Sequence, residues 1–109
     1  MSVQRARSAQ EYADWVKNAR FEVKDLRECL LYDAEEIGET LRFPAFLDAL
    51  DRGIETIFQQ MVNSTYAFGR EDLSFMELAE RQAEDIPFMQ LLRQINETHR
   101  YGLVVTEED

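Results

Sequence analysis

From Ser8 onward, apolar residues recur at helical spacing. Tyr12, Val16, Ala19, Val23, Leu26 and Leu30 follow one another in alternating steps of four and three. That is a heptad-like seam. Asp33 interrupts it, Ile37 resumes it, and Trp15 and Cys29 widen it on one side. Ser8 with Glu11 has the form of a capping box, and Gly38 stands where a left-handed C-terminal residue is expected. The pattern therefore predicts a first helix over about 9–37. A second stripe runs Phe46, Leu47, Leu50, Ile54, Ile57, Phe58, Met61 and Val62, with Asp48, Asp51, Arg52, Glu55 and Gln59 on the other face. Pro44 fits only a first turn and Gly69 reads as a stop, so a second helix is expected over about 43–67. Gly53 lies beside that stripe, where it either permits a close contact or is simply tolerated. Ser74 with Glu77 reads as a second capping box. Pro87 divides the C-terminal third into shorter helices over about 75–85 and 86–100, with Asp85 placed to cap the later one and Gly102 after its end. The fold these elements predict is all-α: an antiparallel helical bundle of three to four helices. Residues 1–7 read as a flexible N-terminal arm, 8–105 as a single domain and 106–109 as an acidic tail.

Composition agrees with that picture. A chain of 109 residues that is 45% hydrophobic is able to bury a core without metals or disulfides. Four Gly and two Pro suit long helices better than a turn-rich β fold. The single cysteine, Cys29, excludes an intramolecular disulfide and reads as a core residue of the first helix. It points to a reducing, cytoplasmic setting. No run approaches the ~20 apolar residues of a membrane span. Residues 1–10 lack the apolar stretch of a secretory leader.

Charge adds more. The net charge is −10, and residues 1–27 hold six basic and four acidic side chains against six and eighteen in 28–109. So acidic a body repels phosphate backbones, which disfavours nucleic acid, and it favours a basic protein partner.

Two patterns bear on chemistry. Glu36 and Glu39 form an E-x-x-E, and Asp48 and Asp51 a D-x-x-D. Four converging carboxylates would suit Mg²⁺, a hard cation that wants oxygen ligands. The run from Glu35 to Glu39 resembles the E-E-x-G-E segment of the MazG-type nucleotide pyrophosphohydrolases. That resemblance implies Mg²⁺-dependent pyrophosphate chemistry. The chain departs from the family in having D-x-x-D as its second motif, after a short gap. The other pattern is Arg93, His99 and Tyr101, which resembles the Arg…His-x-Tyr signature of HEPN-fold ribonucleases. It implies metal-independent RNA cleavage by Arg93 and His99. Five residues separate Arg93 from His99 here, where that subclass has four. One His and one Cys exclude a four-ligand zinc site, and no Glu-x-x-His pair exists for a di-iron centre.

The remaining features concern interaction. Phe21 and Leu31 fall off the first helix's seam, on the side shared with Lys17, Lys24 and Glu28, and mark a dimer or partner face. Glu71, Asp72, Glu77, Glu80, Glu84 and Asp85 line the third helix and its entry, where a basic protein would dock. Asp33, inside the seam, calls for a cation such as Arg42 or Arg70, or for an opening in the bundle. The leading expectation is a small acidic intracellular interaction protein, an adaptor, regulator or inhibitor. It binds a protein partner through Phe21, Leu31, Glu77, Glu80 and Glu84, with no cofactor and no catalysis. The ribonuclease and the nucleotide hydrolase are the alternatives.

Overall fold

The computed structural model describes residues 4–37 and 45–104, with side chains described over 4–32 and 46–104. Four helices occur in it: α1 (Ala9–Ile37), α2 (Ala45–Val62), α3 (Met76–Arg81) and α4 (Met89–Tyr101). A single 3-10 turn, Ala83–Asp85, links α3 to the segment before α4. No strand occurs among the described residues. The fold is the all-α bundle expected. Ion pairs Arg20–Glu55 and Arg27–Asp51 run α2 antiparallel to α1. Contacts of Ala6 with Thr98 and of Tyr12 with Ile95 run α4 antiparallel to it as well.

The seam of α1 forms the middle of the core. Tyr12, Val16, Ala19 and Val23 are at most 2% exposed, and they meet Leu47, Leu50 and Ile54 of α2 and Leu92 and Ile95 of α4. Each Val, Leu or Ile among them contributes roughly 1.5–3 kcal/mol when fully buried. Gly53 matters here: a side chain in its place would overlap the buried ring of Phe75, which seats the entry to α3 against α2.

The first capping box forms, with one change. Ser8 Oγ accepts from the Glu11 N–H at 3.0 Å, and the Glu11 carboxylate accepts from Arg7 N–H at 2.7 Å, one residue before the cap. The second does not form. Phe75 occupies the N-cap of α3 with no side-chain cap bond, and Glu77 instead pairs with Arg81 one turn on. Burial of Phe75, not a hydroxyl, fixes that start.

The end of α2 is also corrected, from 67 to Val62. Ser64 takes φ 59°, and its N–H reaches Met61 O while Thr65 N–H reaches Gln60 O. This bond pair is a Schellman stop, with serine where glycine is usual. Gly69 plays no part in it. Asp85 does not cap α4: Pro87 holds Ile86 extended (φ −114°, ψ 103°), so the helix starts at Met89, beyond its reach. Gly102 does end α4, at φ 83°.

Residues 4–7, read in the sequence as part of an N-terminal arm, lie against α4. Ala6 is fully buried, its N–H donates to Thr98 Oγ1 at 2.9 Å, and its carbonyl accepts from Val104 N–H at 2.8 Å. A small apolar residue fits that niche between α1 and α4. Cys29 is exposed, not core: among the described residues, nothing covers its side of the seam. Asp33, Gly38 and Arg42 lie outside the described side chains.

Candidate functional site

The densest polar chemistry gathers at one end of the bundle, on α4. Asn96 and Thr98 are buried and His99 is half-buried, and each captures a different irregular segment. Asn96 Oδ1 accepts from Leu73 N–H at 2.8 Å, and its Nδ2 donates to Asp72 at 3.0 Å, which holds the entry to α3. Thr98 holds Ala6 and donates its own hydroxyl to Gln94 O one turn back. His99 Nδ1 lies 2.6 Å from Tyr66 Oη, and its carbonyl accepts from Gly69 N–H at 3.1 Å. Asn and Thr compete with the helix for backbone partners, which explains why they serve as clips here.

A three-membered chain results. Tyr12 Oη lies 2.7 Å from Tyr66 Oη and 3.4 Å from Ile95 O. Phe68 packs on both tyrosine rings, stacked on Tyr12 at 5.6 Å and edge-on to Tyr66 at 5.4 Å. Burial pushes the Tyr66 hydroxyl up to about 12, and the bond from Tyr12 offsets part of that rise. Burial also raises Tyr12, aided by Tyr66, and lowers His99. Near neutral pH both phenols keep their protons and the imidazole is uncharged. With the imidazole proton on Nε2, Tyr66 donates to Nδ1 and Tyr12 donates to Tyr66. Beside the chain lies an open cleft of about 360 Å³ lined by Ala9, Tyr12, Met61, Tyr66, Phe68 and Leu103 among others. Among the described residues, its polar side chains are tyrosines and a serine. Such a surface offers hydrogen bonds and apolar contact.

The structure does not bring Arg93, His99 and Tyr101 together. Arg93 makes a two-pronged ion pair with Glu80 of α3, both bonds 3.0 Å. That pairing raises the Arg93 pKa and lowers that of Glu80. His99 faces Tyr66 on one side, and its Nε2 sits close over Gly69 on the other. Tyr101 is exposed, its carbonyl held by Arg5 at 2.9 Å. The six-position step from Arg93 to His99 leaves about 120° of rotation between them, so they project from different faces. Of the four carboxylates considered for Mg²⁺, Asp48 and Asp51 both turn to Arg27, at 3.7 and 3.0 Å. Glu36 and Glu39 lie outside the described side chains. No group of three or more His, Cys, Asp or Glu able to hold a metal occurs among the described residues.

Of the interaction residues, Phe21 is 60% exposed and Leu31 42%, both on the outside of α1. Tyr32, 64% exposed, joins them, and sequence reasoning missed it. Glu77 and Glu80 are taken by Arg81 and Arg93, whereas Glu84 is exposed with no ion pair among the described residues.

Asn96, Thr98 and the tyrosine pair were also missed. A signal existed: a tyrosine at a seam position needs a buried hydroxyl partner, and Asn-x-Thr-His inside a helix spends poor helix formers. Compared with family models, curated proteins and solved structures, this chain matches none.

Proposed function

We propose that this chain is an acidic helical binding module, an adaptor, regulator or inhibitor that acts by docking a basic protein. One observation carries the reading. Asp14, Glu22, Asp25, Glu28, Glu71, Glu84 and Asp85 are exposed and have no cation partner among the described residues. Five arginines, by contrast, are already taken: Arg20, Arg27, Arg81, Arg93 and Arg100 each face a carboxylate. The surface field is thus strongly negative, which steers cationic surfaces in and turns phosphate backbones away. The side chains with catalytic potential also have internal roles, Arg93 with Glu80 and His99 with Tyr66. No helix of the described residues is long and apolar enough to cross a membrane.

The test is capture from a soluble extract of the native source, followed by titration of the captured protein. Expected is a basic partner held at about 50 mM salt, released near 500 mM, and bound about tenfold more weakly by Glu84→Lys/Asp85→Lys. No enriched protein, or a partner indifferent to salt and to those charges, would overturn the reading.

A further inference from the structure

We propose that the outer face of α1 is a self-association seam that pairs with a second copy of this chain in antiparallel register. A second heptad on the same helix supports this. Lys17, Phe21, Lys24, Glu28 and Leu31 recur in steps of four, three, four and three, so they share one stripe. At ~100° per residue, that stripe lies about 140° around α1 from the core seam. All five side chains are exposed, the two apolar ones included.

The order of these residues selects the partner. In an antiparallel helix pair, the a positions of one helix layer against the d positions of the other. Centre the pair on position 26, and Phe21 of each copy meets Leu31 of the other while Lys24 meets Glu28. Both layers are then complementary, apolar on apolar and cation on carboxylate, and the twofold axis makes each of them twice. Parallel pairing would stack Lys24 on Lys24 and Glu28 on Glu28, a like-charge arrangement that selects against it. A seam whose two directions complement each other about one point is suited to a copy of itself.

The contact is short. A stripe from 17 to 31 is about 21 Å long, which places the interface at the small end of specific associations, with a Kd of about 10–100 µM. The net charge of −10 on each copy opposes approach at low salt. Association therefore strengthens as salt rises towards about 0.15 M, the reverse of the basic-partner interaction.

Sedimentation velocity on the full chain from about 5 to 500 µM, at about 0.15 M salt, tests the seam. A reversible monomer–dimer equilibrium is expected, with Phe21→Asp monomeric throughout. Lys24→Glu and Glu28→Lys each bring like charges together in two layers and should weaken dimerisation about tenfold. The double variant Lys24→Glu/Glu28→Lys recreates both pairs and should return to within about threefold of the parent. Lys24 and Glu28 are also one turn apart within α1, so far-UV circular dichroism checks that each variant keeps its helix. A parent that stays monomeric at every concentration overturns the proposal. So does a dimer indifferent to Phe21→Asp, or a double variant as weak as the singles. Phe21→Asp leaves the acidic surface intact, so loss of the dimer with retained capture of a basic protein separates the two readings.

Discussion

The two halves of α1 share one spacing of apolar residues and are buried very differently. Tyr12, Val16, Ala19 and Val23, in the first half, are at most 2% exposed. In the second half Leu26 and Leu30 are half-buried, and Cys29 and Leu31 are exposed. The cause is the length of a neighbour. Tyr12 sits against Ile95, and α4 runs back from there only to Met89. Six residues of helix cover about 9 Å, so α4 ends beside residue 18 or so of α1. Beyond that point Leu26 and Leu30 line an open cleft together with Phe46 of α2, Gln82 and Asp85. Periodicity shows which face turns inward; the reach of the opposing helices sets how deeply it is buried.

Matched truncations would break or sharpen this contrast. Leu92 is fully buried at the closed half, and Leu92→Ala should cost about 3–4 kcal/mol by urea unfolding. Leu30→Ala, at the open half, should cost about 1 kcal/mol, because a half-buried side chain loses less area and water fills the gap. Equal losses would mean that α1 is evenly supported and that the contrast is wrong. Next in size is Thr98→Val, which keeps the volume but leaves Ala6 N–H without its acceptor. An orphaned buried donor costs about 1–2 kcal/mol. Hydrogen exchange at the Ala6 amide should quicken far more than exchange at Val23, whose contacts lie elsewhere. Unchanged exchange at Ala6 would show that the N-terminal segment is held by packing alone.

These contrasts also mark what was legible beforehand. The helices, the core face of α1 and the break at Pro87 follow from spacing and two residue types, because those are local properties of the chain. Ser8 with Glu11 was readable for the same reason. The stop at Ser64 was not, since serine adopts the left-handed region only when tertiary contacts outweigh its preference. Ser74 with Glu77 misled because burial of Phe75 overrode a correct local signal. The polar clips of α4 escaped because their partners lie 23 to 92 residues away, as Asn96 to Leu73 and Thr98 to Ala6 show. Arg93 and His99 looked like a pair by sequence proximity, and helix rotation separates them.

Ser64 offers a smaller test, at the closed end. Its φ of 59° strains any residue with a Cβ, and Gly102 at φ 83° shows the usual solution at the end of α4. Ser64→Gly should stabilise the fold by about 0.5–1 kcal/mol, the gain from relieving the left-handed penalty less the added freedom of the unfolded chain. A loss of stability in thermal or urea unfolding would mean that the Ser64 side chain has a role the backbone bonds do not account for.

The finest test is the pH dependence that His99 gives to the closed half and that the open half lacks. Burial lowers its pKa below the ordinary 6.5, so between the folded value and 6.5 the unfolded chain binds more protons than the folded one. Stability from this group is therefore complete above 6.5 and declines as pH falls below it. Geometry gives the same sign. A proton on Nδ1 must be donated to Tyr66, which must then donate to Tyr12, whose own hydrogen is left only the Ile95 carbonyl at 3.4 Å. The reversed chain ends on a poor bond, and the neutral chain with its proton on Nε2 does not. Urea midpoints should fall as pH drops from about 7.5 to 5.5, a window above most carboxylate titration. In His99→Gln, whose amide oxygen still accepts from Tyr66, the slope over that window should flatten. An unchanged slope would place the proton-linked stability elsewhere and leave the tyrosine–histidine chain a packing feature alone.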